Sequence, residues 1–287
     1  MTESPRSPLK WAGSKRALAV ALQPWWDGEY AENRWVWAEL MAGSAQMAFL
    51  WRPPEVLLVD SCWPLINFYQ QLDISARVPT LDLRPTWPND EDFYYGARRA
   101  FNELLAEGEV GISAEGRWMM ARLFWYMNRV GWHGLYRVGS NGFNVPFGHY
   151  KTEPTYRDPK DYTTTIRDWR FYAGPYTAAD VSSRALVYLD PPYDGMFANY
   201  GVDGFDAFDR VDLAKWARSR RGPVMISDSE TAATMYLGMG FDVMLFVERT
   251  RIRGKSVPRR EMIATRGLDS QRIRSALISS GRAVYRV

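Results

Sequence analysis

Two apolar runs that stop on a carboxylate, residues 55–60 (EVLLVD) and 185–190 (ALVYLD), restrict the fold of this chain more than any other feature. A strand with one wet face alternates apolar and polar residues, and neither run does so before its final acid. Strands of this kind are covered on both faces, as in a parallel sheet held between two layers of helices. A third strand-like block, residues 36–40 (VWAEL), lies upstream. Helical patterns surround these strands at residues 14–23 and 44–51, each opening on a serine able to cap a helix, and at 62–73. The alternation predicts a doubly wound α/β domain.

The rhythm breaks between residues 78 and 176, where proline, glycine and aromatic residues cluster. This break predicts an inserted domain at 78–176 within a catalytic frame made of 1–77 and 177–287. Inside the insertion, residues 91–107 and 114–130 read as helices. Residues 135–145 carry Ser140, Asn141 and Gly142 between apolar residues and read as a β-hairpin. Strands are expected again at 185–190, 223–227, 241–247 and 261–265, with a helix at 211–219.

Composition narrows the chemistry. Of 287 residues, 46% are hydrophobic and 15% aromatic, enough to bury a sizeable core and to exclude a disordered chain. A formal charge of +3 attracts polyanions only weakly, but residues 249–260 (RTRIRGKSVPRR) hold six basic side chains and no acidic one. That stretch reads either as a solvated loop or as a grip on phosphates. Cys62 is the single cysteine, so no internal disulfide or cysteine-based zinc site can form. With His133 and His149 the only histidines, no metal centre and no Ser/His/Asp hydrolase is expected. No stretch has the apolar length of a signal peptide or a membrane span, so the expected location is the cytoplasm.

The sharpest motif is Asp190-Pro191-Pro192-Tyr193, placed where a buried strand reaches the carboxyl edge of its sheet. Alone it reads equally as a proline turn. Its physics suits an exocyclic amine: two prolines stiffen the corner, so the Asp190 carboxylate and one backbone carbonyl can both accept hydrogen bonds from an NH2 group. Holding both hydrogens frees the nitrogen lone pair to attack a methyl group, and Tyr193 offers a flat face for a base. A second constellation comprises residues 8–15 (PLKWAGSK) and 39–45 (ELMAGSA), whose glycines permit close approach to a ligand. Singly, these are also ordinary helix starts and core aromatics. Asp60 ends its strand where α/β folds place an acid that binds ribose hydroxyls.

Taken together, LKWAGSK, LVDSCWPLINFY, LFWYMNRVGWHGLYRVGSNGFNVPFGHYK, YLDPPY and VMISDSE resemble the Dam-type (D12 class, alpha-group) DNA adenine-N6 methyltransferases over nearly the whole chain. The resemblance implies a Rossmann-like, S-adenosylmethionine-dependent methyltransferase sheet with an inserted, mainly helical target-recognition domain carrying a β-hairpin. It also implies a monomer that flips the target adenine out of double-stranded DNA, most naturally within GATC. Trp11, Ala12, Gly13, Lys15, Glu39, Met41, Gly43, Ser44, Asp60 and Asp190 are implied to line the cofactor site. Asp190, Pro191, Pro192 and Tyr193 are implied to be the catalytic corner. Lys10, Leu135, Arg137 and Pro146 match the positions that read the bases, and Trp132 and His133 those at the flipped-base gap. Arg129, Asn144, Tyr150, Arg251, Arg253 and Lys255 are the further DNA contacts implied.

This chain departs from the family's Pro-Phe-Xaa-Gly-Xaa-Gly loop, with Leu40, Met41 and Ala45 in place of Pro, Phe and the last Gly. Cytosine-N4 methylation and a catalytically inactive DNA-binding relative are the alternatives. Cytosine-C5 methylation would need a nucleophilic thiol, and Cys62 lies outside any motif for one.

Overall fold

In the computed structural model the described residues are 6–78, 80–193, 205–252 and 255–287. The chain begins with helix α1 (Arg16–Asn33), strand β1 (Val36–Glu39), α2 (Gln46–Trp51), β2 (Val56–Asp60) and α3 (Trp63–Arg77). The interrupting segment contributes α4 (Glu91–Gly111), α5 (Ala114–Val130), the two-stranded pair β3 (Val138–Gly139) and β4 (Gly142–Phe143), and α6 (Thr163–Ile166). After it come β5 (Trp169–Ala173), β6 (Ala185–Leu189), α7 (Ala207–Ser219), β7 (Val224–Ser229), α8 (Ala233–Gly238), β8 (Asp242–Ile252), β9 (Lys255–Arg266), α9 (Ser270–Ser279) and β10 (Val284–Arg286).

The main sheet runs β5-β2-β1-β6-β7-β9-β8-β10. Its first five strands are parallel, and β9, β8 and β10 pair antiparallel with their neighbours. The expected doubly wound pattern is present. Connections from β1 lead outward to β2 and β5, whereas β6 leads the other way to β7, so the order reverses between β1 and β6. In open α/β sheets the crevice outside the carboxyl ends at such a reversal is where ligands sit. Every residue of β6 and β7 is buried: β6 is apolar throughout, whereas β7 buries Ser227, Asp228 and Ser229 along with its apolar half.

Two cores cover the two faces. One joins α1, α2, α3 and α9 to Tyr94, Phe101, Met120 and Phe124 of the interrupting segment. The other packs Leu213, Ala214 and Tyr236 of α7 and α8 against Ala38, Val187 and Ile226. The insertion therefore shares a core with the sheet.

Local chemistry explains most boundaries. Asp90 accepts from the Phe93 amide and Ser113 from the Gly116 amide, capping α4 and α5. Asp206 and Asp209 form a reciprocal capping box at the start of α7. Asn102 of α4 clasps both backbone groups of Phe143, donating to its carbonyl at 3.1 Å and accepting from its amide at 2.8 Å. The exposed edge of the β3/β4 hairpin is thereby satisfied from α4.

Several expectations need correction. Neither Ser14 nor Ser44 caps a helix: α1 and α2 start two residues later with no side-chain cap. Helix α1 continues through Pro24 to Asn33, because Trp25 and Trp26 are buried just beyond it. Interrupting a helix with proline costs about 3 kcal/mol, whereas burying roughly 200 Å² of a tryptophan returns about 5 kcal/mol at 25 cal/mol per Å². The sheet resumes before residue 177, since β5 pairs in parallel with β2 from Val56↔Trp169 to Asp60↔Ala173. Residues 249–252 and 255–260 are not a loop but the far end of an antiparallel ribbon in which β8 and β9 stay in register out to Ile252↔Lys255.

Candidate active site and nucleic-acid interface

The residues that end β1, β2 and β6 define the crevice. Leu40 donates its amide to the Tyr188 carbonyl at 3.1 Å and Ala42 to the Val59 carbonyl at 2.9 Å, so the loop after β1 threads between the ends of β6 and β2. Gly43, at φ +46°, donates to Asp60 Oδ2 at 2.9 Å. Cys62 donates to Asp60 Oδ1 at 2.9 Å. Desolvation raises the Asp60 pKa against these two bonds. A Cβ at Gly43 would lie 2.7 Å from Trp11 Nε1, so only glycine lets the indole settle on this loop. Tyr69 fixes the far side through a 2.8 Å bond to the Gly43 carbonyl. Ser44 is buried, and Met41 packs partly buried against the second core. Glu39 is enclosed, accepting from Trp37 Nε1 at 3.0 Å, and burial pushes its carboxyl up to about 8.

Asp190 stands just past β6 with both oxygens engaged. Lys15 Nζ donates to Oδ2 at 2.8 Å, and also to the Gly13 carbonyl. Ser227 of β7 donates to Oδ1 at 2.8 Å. Because a serine has one proton, the 2.7 Å contact between Tyr188 and Ser227 must be donated by the tyrosine. Burial, with Asp190 beside it, holds the Tyr188 phenol well above its ordinary value, so it stays a donor. The Tyr193 ring lies 4.8 Å from Lys15 Nζ and 5.4 Å from the Arg259 guanidinium. Its hydroxyl donates to Glu261 of β9. Arg210 Nη2 donates to the Pro192 carbonyl at 2.9 Å. Burial pushes the Cys62 thiol far up, so it offers no thiolate.

A family profile described as D12 class N6 adenine-specific DNA methyltransferase matches residues 11–251. The chain belongs to that family. Among curated relatives, it is 30% identical to the retron Ec67 DNA adenine methylase of Escherichia coli, over 90% of each chain. It is 34% identical to the DNA adenine methylase of Salmonella typhi, over 80% of this chain and 82% of the relative. It is also 28% identical to the type II methyltransferase M1.LlaDCHI of Lactococcus lactis subsp. cremoris, over 85% and 88%. The D12 protein is thus an adenine-specific DNA methyltransferase, an enzyme whose substrate is DNA and which needs a methyl donor. Among its described residues, no helix is long and apolar enough to cross a membrane.

In this D12 methyltransferase the segment before α1 is stapled to the insertion. Asn128 of α5 accepts from the Lys10 amide at 2.9 Å and donates to the Lys10 carbonyl at 2.7 Å. The same amide donates to the Gly134 carbonyl at 3.1 Å. Lys10 Nζ bonds the Arg129 carbonyl at 3.1 Å and lies 4.4 Å over the Tyr150 ring. Arg129 itself turns inward to the Pro8 carbonyl. Trp132 is 47% exposed and sits edge-on to His133, whose backbone is left-handed at φ 53°. Arg137 Nε donates to Asn144 Oδ1 at 2.6 Å across the hairpin, Leu135 is partly buried and Pro146 is exposed.

Arg251 and Lys255 lie in the paired ribbon with side chains outside the description, and Arg253 lies outside the described residues. Sequence reasoning missed Asn128, Tyr188, Ser227, Arg210, Asp228 and Glu261. The available signal was a polar residue ending an apolar stretch, as Asn128 does after 123–127 (LFWYM) and Ser227 after 224–226 (VMI).

Proposed function

We propose that the enzyme transfers the methyl group of S-adenosylmethionine to N6 of an adenine extruded from duplex DNA, with Asp190 and the Pro191 carbonyl accepting the two amino hydrogens. The observation that carries the reading is the fixed Asp190 carboxylate at the reversal of the sheet, bonded by Lys15 and Ser227 and followed by the proline corner. With the Pro192 carbonyl held by Arg210, the Pro191 carbonyl falls to the amine.

The residues present fit the cofactor. Each Asp60 oxygen takes one backbone N–H and keeps a lone pair for a ribose hydroxyl. Gly43 and Gly13 allow close approach, and Trp11, Ala12, Lys15, Glu39, Met41 and Ser44 surround the same loop ends. When bound, S-adenosylmethionine supplies an electrophilic methyl on a sulfonium sulfur. The chain's own work is to aim the amine at it and to exclude water from the corner, with Tyr193 stacked on the base.

Residues 78–168 form the target-recognition insertion of this reading. Lys10, Leu135, Arg137 and Pro146 read GATC, Arg137 through the two-pronged contact arginine makes with guanine. Asn144 supports this by holding Nε, which pre-sets the guanidinium plane. Trp132, exposed at the tip with His133, fills the gap left by the flipped base. Arg129, Asn144, Tyr150, Arg251, Arg253 and Lys255 complete the contact to the backbone. The enzyme acts as a monomer in the cytoplasm of a bacterial or phage-infected cell, a location in keeping with its bacterial relatives.

Incubation of duplex DNA with labelled S-adenosylmethionine, followed by base-resolution mapping, tests the reading. N6-methyladenine confined to GATC and abolished by Asp190→Ala is the expected result. Wild-type rates in Asp190→Ala, or modification only at other sequences, would refute the corresponding part.

A further inference from the structure

We infer that Arg210, anchored by Asp228, is a positioning residue that locks the proline corner from beneath the sheet, a role that rests on the reading of the corner given above. Ser227 and Asp228 are successive residues of β7, and successive strand side chains point to opposite faces. Ser227 reaches Asp190 on one face. On the other face Asp228 Oδ2 accepts from Arg210 Nε at 2.8 Å, and the same guanidinium gives Nη2 to the Pro192 carbonyl at 2.9 Å. One dipeptide of β7 thus holds the corner at both ends, Asp190 directly and Pro192 through the arginine.

The arrangement costs more than packing requires. Arg210 is 4% exposed and Asp228 0%. A buried ion pair is a poor source of stability compared with apolar side chains of the same size, so its presence here calls for another reason. An arginine in the first turns of α7 also opposes the helix dipole, which favours acids there. Asp228 is itself fixed, accepting from the Ser229 amide at 2.7 Å and from the buried Tyr236 hydroxyl at 3.2 Å. The Phe205 ring stacks 5.5 Å from the guanidinium. A planar fork so confined has one orientation, and the carbonyl it grips belongs to the residue that follows Pro191. Rotation of the Pro191–Pro192 unit, which would swing the proposed amine acceptor away, is blocked at its next carbonyl. Lysine cannot substitute, because a point charge on a flexible stem does not hold two acceptors in one plane.

The test measures single-turnover methyl transfer to a GATC duplex, cofactor affinity by calorimetry, DNA affinity by fluorescence anisotropy and Tm for three variants. Arg210→Lys keeps the positive charge beside Asp228. The double variant Arg210→Met with Asp228→Leu removes both charges and strands neither. Both are expected to bind cofactor and DNA within about two-fold of wild type while the transfer step slows by about ten- to a hundred-fold, the cost of a misplaced reacting group. Arg210→Lys transferring at the wild-type rate overturns the inference. So does a parallel fall of Tm, both affinities and rate, which would make the pair a scaffold element. Asp190→Ala run alongside separates the two levels: if it stays active the reading of the corner fails, and if it is inactive while Arg210→Lys is fast only the clamp fails.

Discussion

Glu39→Gln should flatten the pH dependence of stability between pH 5 and 8. Glu39 ends β1, is 4% exposed, and is lifted from an ordinary value of 4.5 to about 8, chiefly by burial. The Trp37 indole and the Ala48 amide, both donating to Oε2, oppose the rise, and the neighbouring Asp190 charge adds to it. Between the two values the folded state holds one proton more than the unfolded chain, so stability falls as pH rises. It is full below 4.5 and lost by about 8, at roughly 1.4 kcal/mol for each pH unit, or about 5 kcal/mol over the whole span. Glutamine copies the protonated acid: its oxygen keeps both donors, and its NH2 takes the place of the O–H. Asp60, Asp228 and Glu261 are raised in the same direction, so the wild-type slope contains them too. The comparison of variant with wild type removes that background. Urea midpoints at constant m, measured at pH 5, 6, 7 and 8, should separate by about 1.4 kcal/mol per unit in favour of the variant. Parallel curves for the two proteins would refute the argument and mean that Glu39 is ionised when folded.

Ser227→Ala strands the Tyr188 hydroxyl and frees one oxygen of Asp190. An unmet buried group costs about 1–3 kcal/mol, so scanning fluorimetry should show a Tm lower by about 2–10 °C, with methyl transfer slowed beyond that loss. Arg137→Ala should lower the preference for the cognate guanine by roughly five- to a hundred-fold, the worth of one bidentate contact, in competition assays at fixed salt; unchanged preference would remove Arg137 from base reading. Ala45→Gly probes the altered loop. Relief of a left-handed alanine at φ 48° returns about 1–2 kcal/mol. The lost methyl and the freer unfolded chain cost about as much together, roughly 0.8 and 0.4–1 kcal/mol. Tm should therefore move by less than about 4 °C, and a larger drop would show that methyl packing holds the loop.

Strands β2 and β6 were legible because burial on both faces leaves an unbroken apolar run up to the acid that follows or ends it. Helix α5 was legible to the residue at both ends, Ala114–Val130, since Ser113 caps it and Gly131 follows. Other elements hide for physical reasons. The outer half of the β8/β9 ribbon is built from basic residues, and its pairing runs through backbone groups that every residue carries, so composition pointed to a loop. Strands β5 and β10 and helix α8 are each six residues or shorter and gain their order from neighbours. In the site, Asp60, Asp190 and the glycine loop carried a positional signal at strand ends. Ser227 showed only as a polar residue ending an apolar stretch, and Asp228 and Arg210 carried no signal, because their meaning depends on which residues the sheet sets beside them.

That dependence bears on how one chain reads DNA and binds a cofactor. Lys10, a proposed base reader, and Lys15, which holds Asp190, are separated by one short segment before α1. Asn128 grips both backbone groups of Lys10 and, with its third bond, the Gly134 carbonyl beside the exposed Trp132 and His133. A displacement of the segment around Gly134 relative to the sheet strains this amide, since buried backbone groups left unpaired cost about 1–3 kcal/mol each. The insertion also shares its core with the sheet, so no soft joint lies between them. On the proposed reading, recognition and catalysis are therefore mechanically one unit: whatever shifts Lys10 moves the segment that carries Trp11 and Lys15 against Gly43 and Asp190.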